Sequence, residues 1–265
     1  MRGTPRRVLH RDGSPARVNA RMNRHTARTA HTLLLTSLLL ACGGDNTPSK
    51  VDAPGGRESA TTQALEAGAD LLQDKEPLDG FNAYLDGFHF AHGDMRMQME
   101  AHHYCGHLNE DVIQCVLFDG NGSQAKLAGV EYIVSKALFD SLPAEEKRLW
   151  HGHAYEVSSG QLIAPGIPDV AEHELMEKIA GTYGKTWHTW HTDAGAVLPL
   201  GNPRLMMGFT ADGQVDAALV AARDRRFGIS TAAKREQRKD IAYPPRVNSA
   251  VQDGDGDAHE GDERQ

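Results

Sequence analysis

The stretch that most constrains the fold is MEAHHYCGHLNEDVIQC, which runs from Met99 to Cys115 and contains three histidines and two cysteines. The turn-forming residues Asn109–Asp111 divide it, which predicts a hairpin of two strands. A three-residue loop at this point places Cys105 opposite Cys115. The pair is therefore a candidate disulfide, which would add about 2–3 kcal/mol to stability. Two buried thiols in contact are the alternative.

Histidines are concentrated around this hairpin, because ten of the fourteen lie within residues 89–191. Strand alternation places His103, Cys105 and His107 on one face and His102 on the other. Neutral imidazole is the commonest metal ligand, so histidines from separate segments could form a site for zinc or a similar divalent metal. The candidate ligands are His102, His103, His107, His151, His153 and His188. The alternative is that backbone carbonyls or carboxylates such as Glu100, Glu131 and Glu156 satisfy the rings.

Catalytic residues are not assigned by any motif. The sequence has no HExxH or CxxC metal spacing, no GxSxG elbow, no phosphate loop and no dinucleotide fingerprint. A histidine beside a carboxylate could act as a base, with Cys115 or Ser135 as nucleophile, but no specific spacing supports this chemistry.

The amino-terminal segment predicts export. Residues 1–41 contain eight arginines, one aspartate and no lysine, and they end in an apolar run of about ten residues, which suits a signal peptide and is too short to span a bilayer. Leu39, Leu40, Ala41 and Cys42 resemble a bacterial lipobox, so Cys42 is the expected lipidation site. An ordinary cleaved signal without lipid is the alternative. Because glycine rather than aspartate follows Cys42, the expected location is the cell envelope, on the periplasmic side of the outer membrane.

Composition divides the chain into four parts. We predict a signal peptide over 1–41, a flexible tether over 42–57, a folded domain over 58–245 and a disordered acidic tail over 246–265. Beyond the leader, 20 basic and 35 acidic groups leave a net charge of −15, which excludes nucleic acid as a partner. The basic run KREQRK, Lys234–Lys239, is interpreted as a solvated helix face, with anionic lipid binding as the alternative.

Helical and strand patterns interleave in the domain. Helices are predicted over Ser59–Asp74, Pro143–Trp150, Val170–Ala180, Gln214–Phe227 and Thr231–Ile241, and strands over Glu100–Leu108, Val112–Phe118, Ala125–Val134, Thr186–His191 and Leu205–Thr210. Phe81–Gly93 is expected to begin as a helix, and Ala154–Ile163 to form a hairpin. The helices are too few for a doubly wound sheet. The predicted class is α+β, with a single mixed or antiparallel sheet and flanking helices.

Eight segments in order carry a family resemblance. They are GFHF, EAHHYCGHLNED, QCVLFD, AKLAGVEYIVS, LFDSLPAEEKRLWHGHAYEV, TYGKTWHTW, LPLGNPRLMM and LVAARDRRFG. Over about residues 80–230 the chain resembles the oil body-associated proteins of plants, a family associated with lipid droplets that has no established catalytic activity.

The resemblance extends to the candidate site. The six candidate histidines, Cys105 and Cys115 stand where the family's residues are expected, whereas His191 replaces an expected glutamine. The plant proteins are cytosolic and this chain has an export leader. In a reducing cytosol the same cysteine pair would serve packing or ligation rather than a disulfide.

Two functions follow from the sequence. The first is a lipid-anchored envelope protein whose binding or structural domain holds a small ligand or metal in a histidine-lined pocket. The second is a metal-dependent enzyme that activates water in the same pocket.

Overall fold

The computed structural model describes residues 46–243. Within these residues seven strands form one sheet: β1 (Ala83–Ala91), β2 (Asp94–His107), β3 (Val112–Phe118), β4 (Leu127–Val134), β5 (His151–Gly152), β6 (Tyr183–His188) and β7 (Arg204–Met207). In this part of the chain eight α-helices accompany them: α1 (Ala60–Leu72), α2 (Glu76–Asp79), α3 (Lys136–Ser141), α4 (Ala144–Lys147), α5 (Ala154–Ser158), α6 (Asp169–Ile179), α7 (Ala217–Phe227) and α8 (Thr231–Gln237). A short 3-10 helix covers Thr192–Ala194.

The sheet closes on itself. Its strands follow the order β4-β3-β2-β1-β7-β6-β5, and β4 also pairs with β6, so that six strands form a closed barrel. All the described strand pairs are antiparallel. The α+β class is confirmed, but the expected sheet with flanking helices is corrected to a barrel. Pairing between β4 and β6 depends on residues far apart in the chain, which no local pattern reveals.

The predicted hairpin is present as the neighbouring strands β2 and β3 of the barrel. Cys105 is paired with Cys115 in the β2–β3 register, as the short loop predicts, and Cys115 is in turn opposite Glu131 of β4. The structure joins the two cysteine sulfurs in a disulfide. Because side chains alternate along a strand, Cys105, Cys115 and Glu131 all point into the barrel.

Two local predictions are wrong. Phe81–Gly93 contains no helix; it forms β1, in which Leu85, Gly87 and His89 alternate with the outward-facing Phe88. Ala154–Ile163 begins with α5 rather than forming a hairpin, although Ile163 makes an isolated bridge to Asp86. The other predicted strands and helices are present with shifted ends, and Ser59 and Ser230 cap α1 and α8 as serine side chains favour.

Helices cover the barrel through two apolar clusters. One contains the disulfide, Leu85, Leu117 and Ile133 together with residues of α5 and α6 such as Val157 and Met176. The second lies on the outside of β1 and β7 and includes Phe88, Phe90, Tyr155, Leu205, Met207 and Phe209, against which Leu219 and Val220 of α7 pack. Burial of these side chains, worth about 1.5–3 kcal/mol each, fixes the helices on the barrel.

The segment before α1 is bound to the loop that follows β3 and to Arg226 of α7. The predicted tether, residues 42–57, is described from residue 46 onward. Thr47 donates its backbone N–H to Asn121 Oδ1 at 2.6 Å, Asn121 returns its own N–H to the Thr47 carbonyl at 3.1 Å, and Ser49 donates to Asp119 at 2.7 Å. This part of the tether is therefore attached to the domain.

Candidate functional site

Seven buried side chains meet inside the barrel. We call them the histidine–glutamate cluster: His89, His103, Glu131, His151, His153, Glu156 and His188. They come from β1, β2, β4, β5, α5 with its preceding residue, and β6. Each is at most 4% exposed. Such polar burial is costly unless the groups are paired, protonated or bound to an ion.

Glu131 lies at the centre of the cluster. Its Oε2 is 3.0 Å from His103 Nε2, and its Oε1 is 3.3 Å from His153 Nε2 and 3.5 Å from His151 Nε2. Glu156 Oε2 is 3.9 Å from His153 Nε2. The two oxygens of one carboxylate therefore face histidines on different sides.

Hydrogen bonds at Nδ1 fix the orientation of two of these histidines. His103 Nδ1 is 3.0 Å from the carbonyl of Ala101, which can only accept. His153 Nδ1 is 2.8 Å from Thr182 Oγ1, whose own hydrogen is donated to the Ile179 carbonyl. Each Nδ1 therefore carries a proton, and Nε2 is the ring atom that faces Glu131. A second partner that fixes the tautomer is characteristic of metal-binding histidines.

Other polar atoms of the interior have no such partner. Among the described residues, neither ring nitrogen of His151 makes a hydrogen bond, and the same holds for His188 Nδ1 and Thr186 Oγ1. His188 Nε2 faces His89 Nδ1 at 3.4 Å. Buried nitrogens of this kind call for an additional ligand, because an unmade hydrogen bond costs about 1–3 kcal/mol.

Burial also controls protonation in the cluster. It lowers the pKa of His151 and of His188 to about 3, and that of His89 well below its usual value. Burial alone would raise the pKa of Glu131, but hydrogen bonds with His103 and His153 hold it well below the ordinary range. Burial and the charge of Glu131 raise the pKa of Glu156 well above the ordinary range. His89, His151 and His188 are thus neutral at physiological pH, the form in which imidazole binds metals.

Two glycines give the cluster its space. A Cβ at Gly184 would lie 2.1 Å from Glu131 Oε1 and 2.8 Å from His153 Nε2, and a Cβ at Gly208 would lie 2.8 Å from Glu156 Oε1. The cavity between His89, His103 and Glu131 measures about 10 Å³. That is close to the space that one water molecule requires.

The donors fit a divalent metal in three overlapping sets. The sets are His89–His103–Glu131, Glu131–His151–His153 and His89–His151–Glu156, and the ligand atoms within each lie within 4.8 Å of one another. Nitrogen and oxygen atoms bound at about 2.0–2.1 Å in a tetrahedron are about 3.3 Å apart. The separations of 3.0, 3.3 and 3.5 Å around Glu131 match that edge length.

His102 belongs to a separate buried group outside the barrel. Its Nδ1 is 2.8 Å from Tyr84 Oη and 3.1 Å from Asp86 Oδ2, while its Nε2 is 3.7 Å from Glu100 Oε1. Arg223 and Arg226 pair with Asp86 and Glu100, respectively. These two cations already balance the two carboxylates, so a further cation is less suited to this group.

The structure thus brings together four of the six candidate ligands: His103, His151, His153 and His188. His102 lies on the opposite face of β2, and His107 is exposed at its end. The sequence does not identify His89 as a ligand, because the pattern around it predicts the start of a helix rather than a strand. Glu131 and Glu156 were expected only as alternatives that satisfy histidines.

Other candidate residues have structural roles. Cys105 and Cys115 are bonded to each other, and Ser135 caps α3 by accepting from Leu138 N. Cys42 lies outside the described residues. In the basic run, Lys234 pairs with Asp169 and Glu172, and buried Arg238 donates to two backbone carbonyls, so neither is a solvated or lipid-facing charge.

Within residues 46–243, none of the helices has the length and apolar character needed to cross a membrane.

Comparison with known proteins places this barrel in one family. Residues 75–242 match the family described as "Protein of unknown function (DUF1264)". Oil body-associated protein 1A of Zea mays is 46% identical over 194 residues, which cover 73% of this chain and 82% of the relative. Oil body-associated protein 1B of Arabidopsis thaliana is 40% identical over 199 residues, 75% of this chain and 83% of the relative. No solved structure matches the chain. Both the family match and these identities show that the chain belongs to the oil body-associated protein family.

Proposed function

We propose that the barrel binds a divalent transition metal, of which zinc is the best candidate, through the histidine–glutamate cluster. The observation that carries the proposal is His151. Both of its ring nitrogens are buried without a hydrogen-bond partner in the described chain, and Nε2 is 3.5 Å from the carboxylate of Glu131. A metal ion would satisfy an electron pair that the surrounding protein leaves unused.

The donor chemistry selects the class of metal. Imidazole rings outnumber carboxylate groups in the cluster by five to two. Imidazole suits zinc, copper, iron and nickel, whereas calcium and magnesium prefer sites made of oxygen atoms. The cluster therefore favours a transition metal.

Metal analysis of the purified full chain tests the proposal. We expect bound metal in the wild type and a reduced content in His103→Ala and in His153→Ala, since both side chains face Glu131. His107→Ala and His173→Ala are matched controls, because these side chains lie outside the cluster and should leave the content unchanged. Circular dichroism of each variant verifies that it is folded. Absence of metal after growth and refolding with zinc would refute the proposal.

The enclosed geometry favours a binding or structural role over the metal-dependent enzyme. The cavity of about 10 Å³ has no room for an organic substrate beside an ion. Three-residue ligand sets do leave a fourth position open, as catalytic zinc sites do. Substrate would have to displace the buried apolar side chains Leu85, Leu162 and Ile179 that line the cavity.

We also propose that Cys42 carries lipid and holds the domain at the periplasmic side of the outer membrane. The sequence LLAC after an apolar run and an arginine-rich segment supports this attachment. The relatives are named for association with oil bodies. A lipid anchor on Cys42 would also bring this chain to a lipid surface. Labelling with a fatty-acid analogue in a Gram-negative host, compared between wild type and Cys42→Ala, tests the attachment. Equal labelling of both proteins would refute it.

A further inference from the structure

We infer that the barrel holds two metal ions rather than one, and that Glu131 bridges them with its two carboxylate oxygens. This inference rests on the proposed function. It assigns two ions to each chain and a separate ligand set to each ion.

The first ion position lies on the Oε2 side of Glu131. Oε2 is 3.0 Å from His103 Nε2, and His89 provides a third ligand atom within 4.8 Å of both groups. The Ala101 carbonyl holds His103 in the orientation that directs Nε2 to this position. His89, His103 and Glu131 therefore form one three-ligand set.

The second ion position lies on the Oε1 side. Oε1 is 3.3 Å from His153 Nε2 and 3.5 Å from His151 Nε2, and these three groups form a separate set within 4.8 Å. Glu156 Oε2, 3.9 Å from His153 Nε2, can complete the coordination. Thr182 orients His153 here as Ala101 orients His103 on the other side.

One ion does not account for both sets. The sets share only Glu131, and different oxygens of that carboxylate face their histidines. The oxygens of a bridging carboxylate suit two ions about 3.5–4 Å apart, the usual spacing in two-metal sites. A single ion on either side would leave the oriented Nε2 of His103 or of His153 without a metal.

Charge predicts that the ions bind in steps. Two divalent ions carry four positive charges, and Glu131 and Glu156 are the two carboxylates of the cluster. The two carboxylates offset at most two of these four charges, so the second ion adds uncompensated charge in a buried site. We therefore expect the second affinity to be at least tenfold weaker than the first.

Titration of the metal-stripped full chain with Co²⁺, followed by native mass spectrometry and visible absorption, tests the inference. The wild type should bind two equivalents. His103→Ala and His153→Ala should each bind one, because each loses a ligand of a different ion, and the double variant should bind none. His173→Ala, which changes an exposed histidine, should retain two.

The outcomes separate this inference from the proposed function. One equivalent in the wild type, lost in both single variants, would refute the pair of ions and retain a single metal site. No binding by a folded wild type would refute both. Electron paramagnetic resonance adds an independent reading, since two ions bridged by Glu131 should show magnetic coupling that the single variants lack.

Discussion

Gly184 of β6 lies directly against Glu131, because a Cβ at position 184 would be 2.1 Å from Glu131 Oε1. Position 184 requires glycine because the Glu131 carboxylate occupies the space that a Cβ would need. We predict that Gly184→Ala displaces the carboxylate and lowers the free energy of unfolding by about 1–3 kcal/mol. Urea denaturation measures the change. Gly181→Ala is the control, since a Cβ there meets nothing within 4 Å; equal stability of the two variants would contradict the prediction.

Arg223 neutralises a buried carboxylate. Its Nη1 is 3.2 Å from Asp86 Oδ1 and also donates to the Gln161 carbonyl at 2.8 Å, and both charged side chains are fully buried. Arg223→Ala leaves Asp86 without this partner, and we expect a loss of about 3–5 kcal/mol. Thermal and urea unfolding should show it. Arg225→Ala, on the exposed side of the same helix, should change stability by less than about 0.5 kcal/mol.

His102 makes stability depend on pH. Burial lowers its pKa from 6.5 to about 3, with further contributions from His103 and Arg226. Between these values the unfolded chain binds a proton that the folded chain does not, so stability falls as pH decreases from 6.5 toward 3. The slope from one such group is at most about 1.4 kcal/mol per pH unit.

Metal-free unfolding between pH 7 and pH 4 measures this slope, to which His151 and His188 add in the same direction. We expect His102→Gln to reduce the slope of unfolding free energy against pH by the contribution of one bound proton. The exposed His107 provides a control, and His107→Gln should keep the wild-type slope. An unchanged slope in His102→Gln would show that His102 is not held neutral.

Gly120 allows the amino-terminal segment to dock. A Cβ at this position would be 2.3 Å from the Thr47 carbonyl oxygen. We expect Gly120→Ala to release Thr47–Val51 and to increase protease cleavage before α1 about tenfold. Gly122→Ala should not, because a Cβ there makes ordinary contacts of 3.9 and 4.0 Å. Limited proteolysis with mass spectrometry locates the cleavage.

The disulfide between Cys105 and Cys115 should stabilise the barrel. It closes a loop with a sequence separation of 10 residues, for which chain entropy gives about 2–3 kcal/mol. Reductant should lower the urea midpoint of the wild type and leave a Cys105→Ala/Cys115→Ala double variant unchanged. Two free thiols in denatured Cys42→Ala protein, without reductant, would contradict the bond.

The hairpin and most helices could be predicted because their signals are local. The Asn109–Asp111 turn determines the β2–β3 register, and serines mark the starts of α1 and α8. The α+β class follows from these elements, whereas closure of the sheet depends on the pairing of β4 with β6, about fifty residues away.

Only part of the candidate site can be predicted, because the sequence shows local patterns and not the distances between strands. Histidines on identified strands, such as His103 and His188, were recognised as possible ligands. His89 was missed because the aromatic and glycine-containing β1 does not show the strict alternation of a half-buried strand: residues on both of its faces are buried. Glu131 could be recognised as the central group only from the distances that the folded barrel creates.

Closure of the barrel also has a kinetic consequence. It joins Phe90 to Met207 and Gly129 to His188, contacts between positions that are distant along the chain. The loss of chain entropy must precede the gain from such contacts, so topology of this kind slows folding to milliseconds or seconds. The joining of β7 to β1 should therefore be a late step, and until it occurs the nascent protein carries open strands that can pair with a neighbouring molecule.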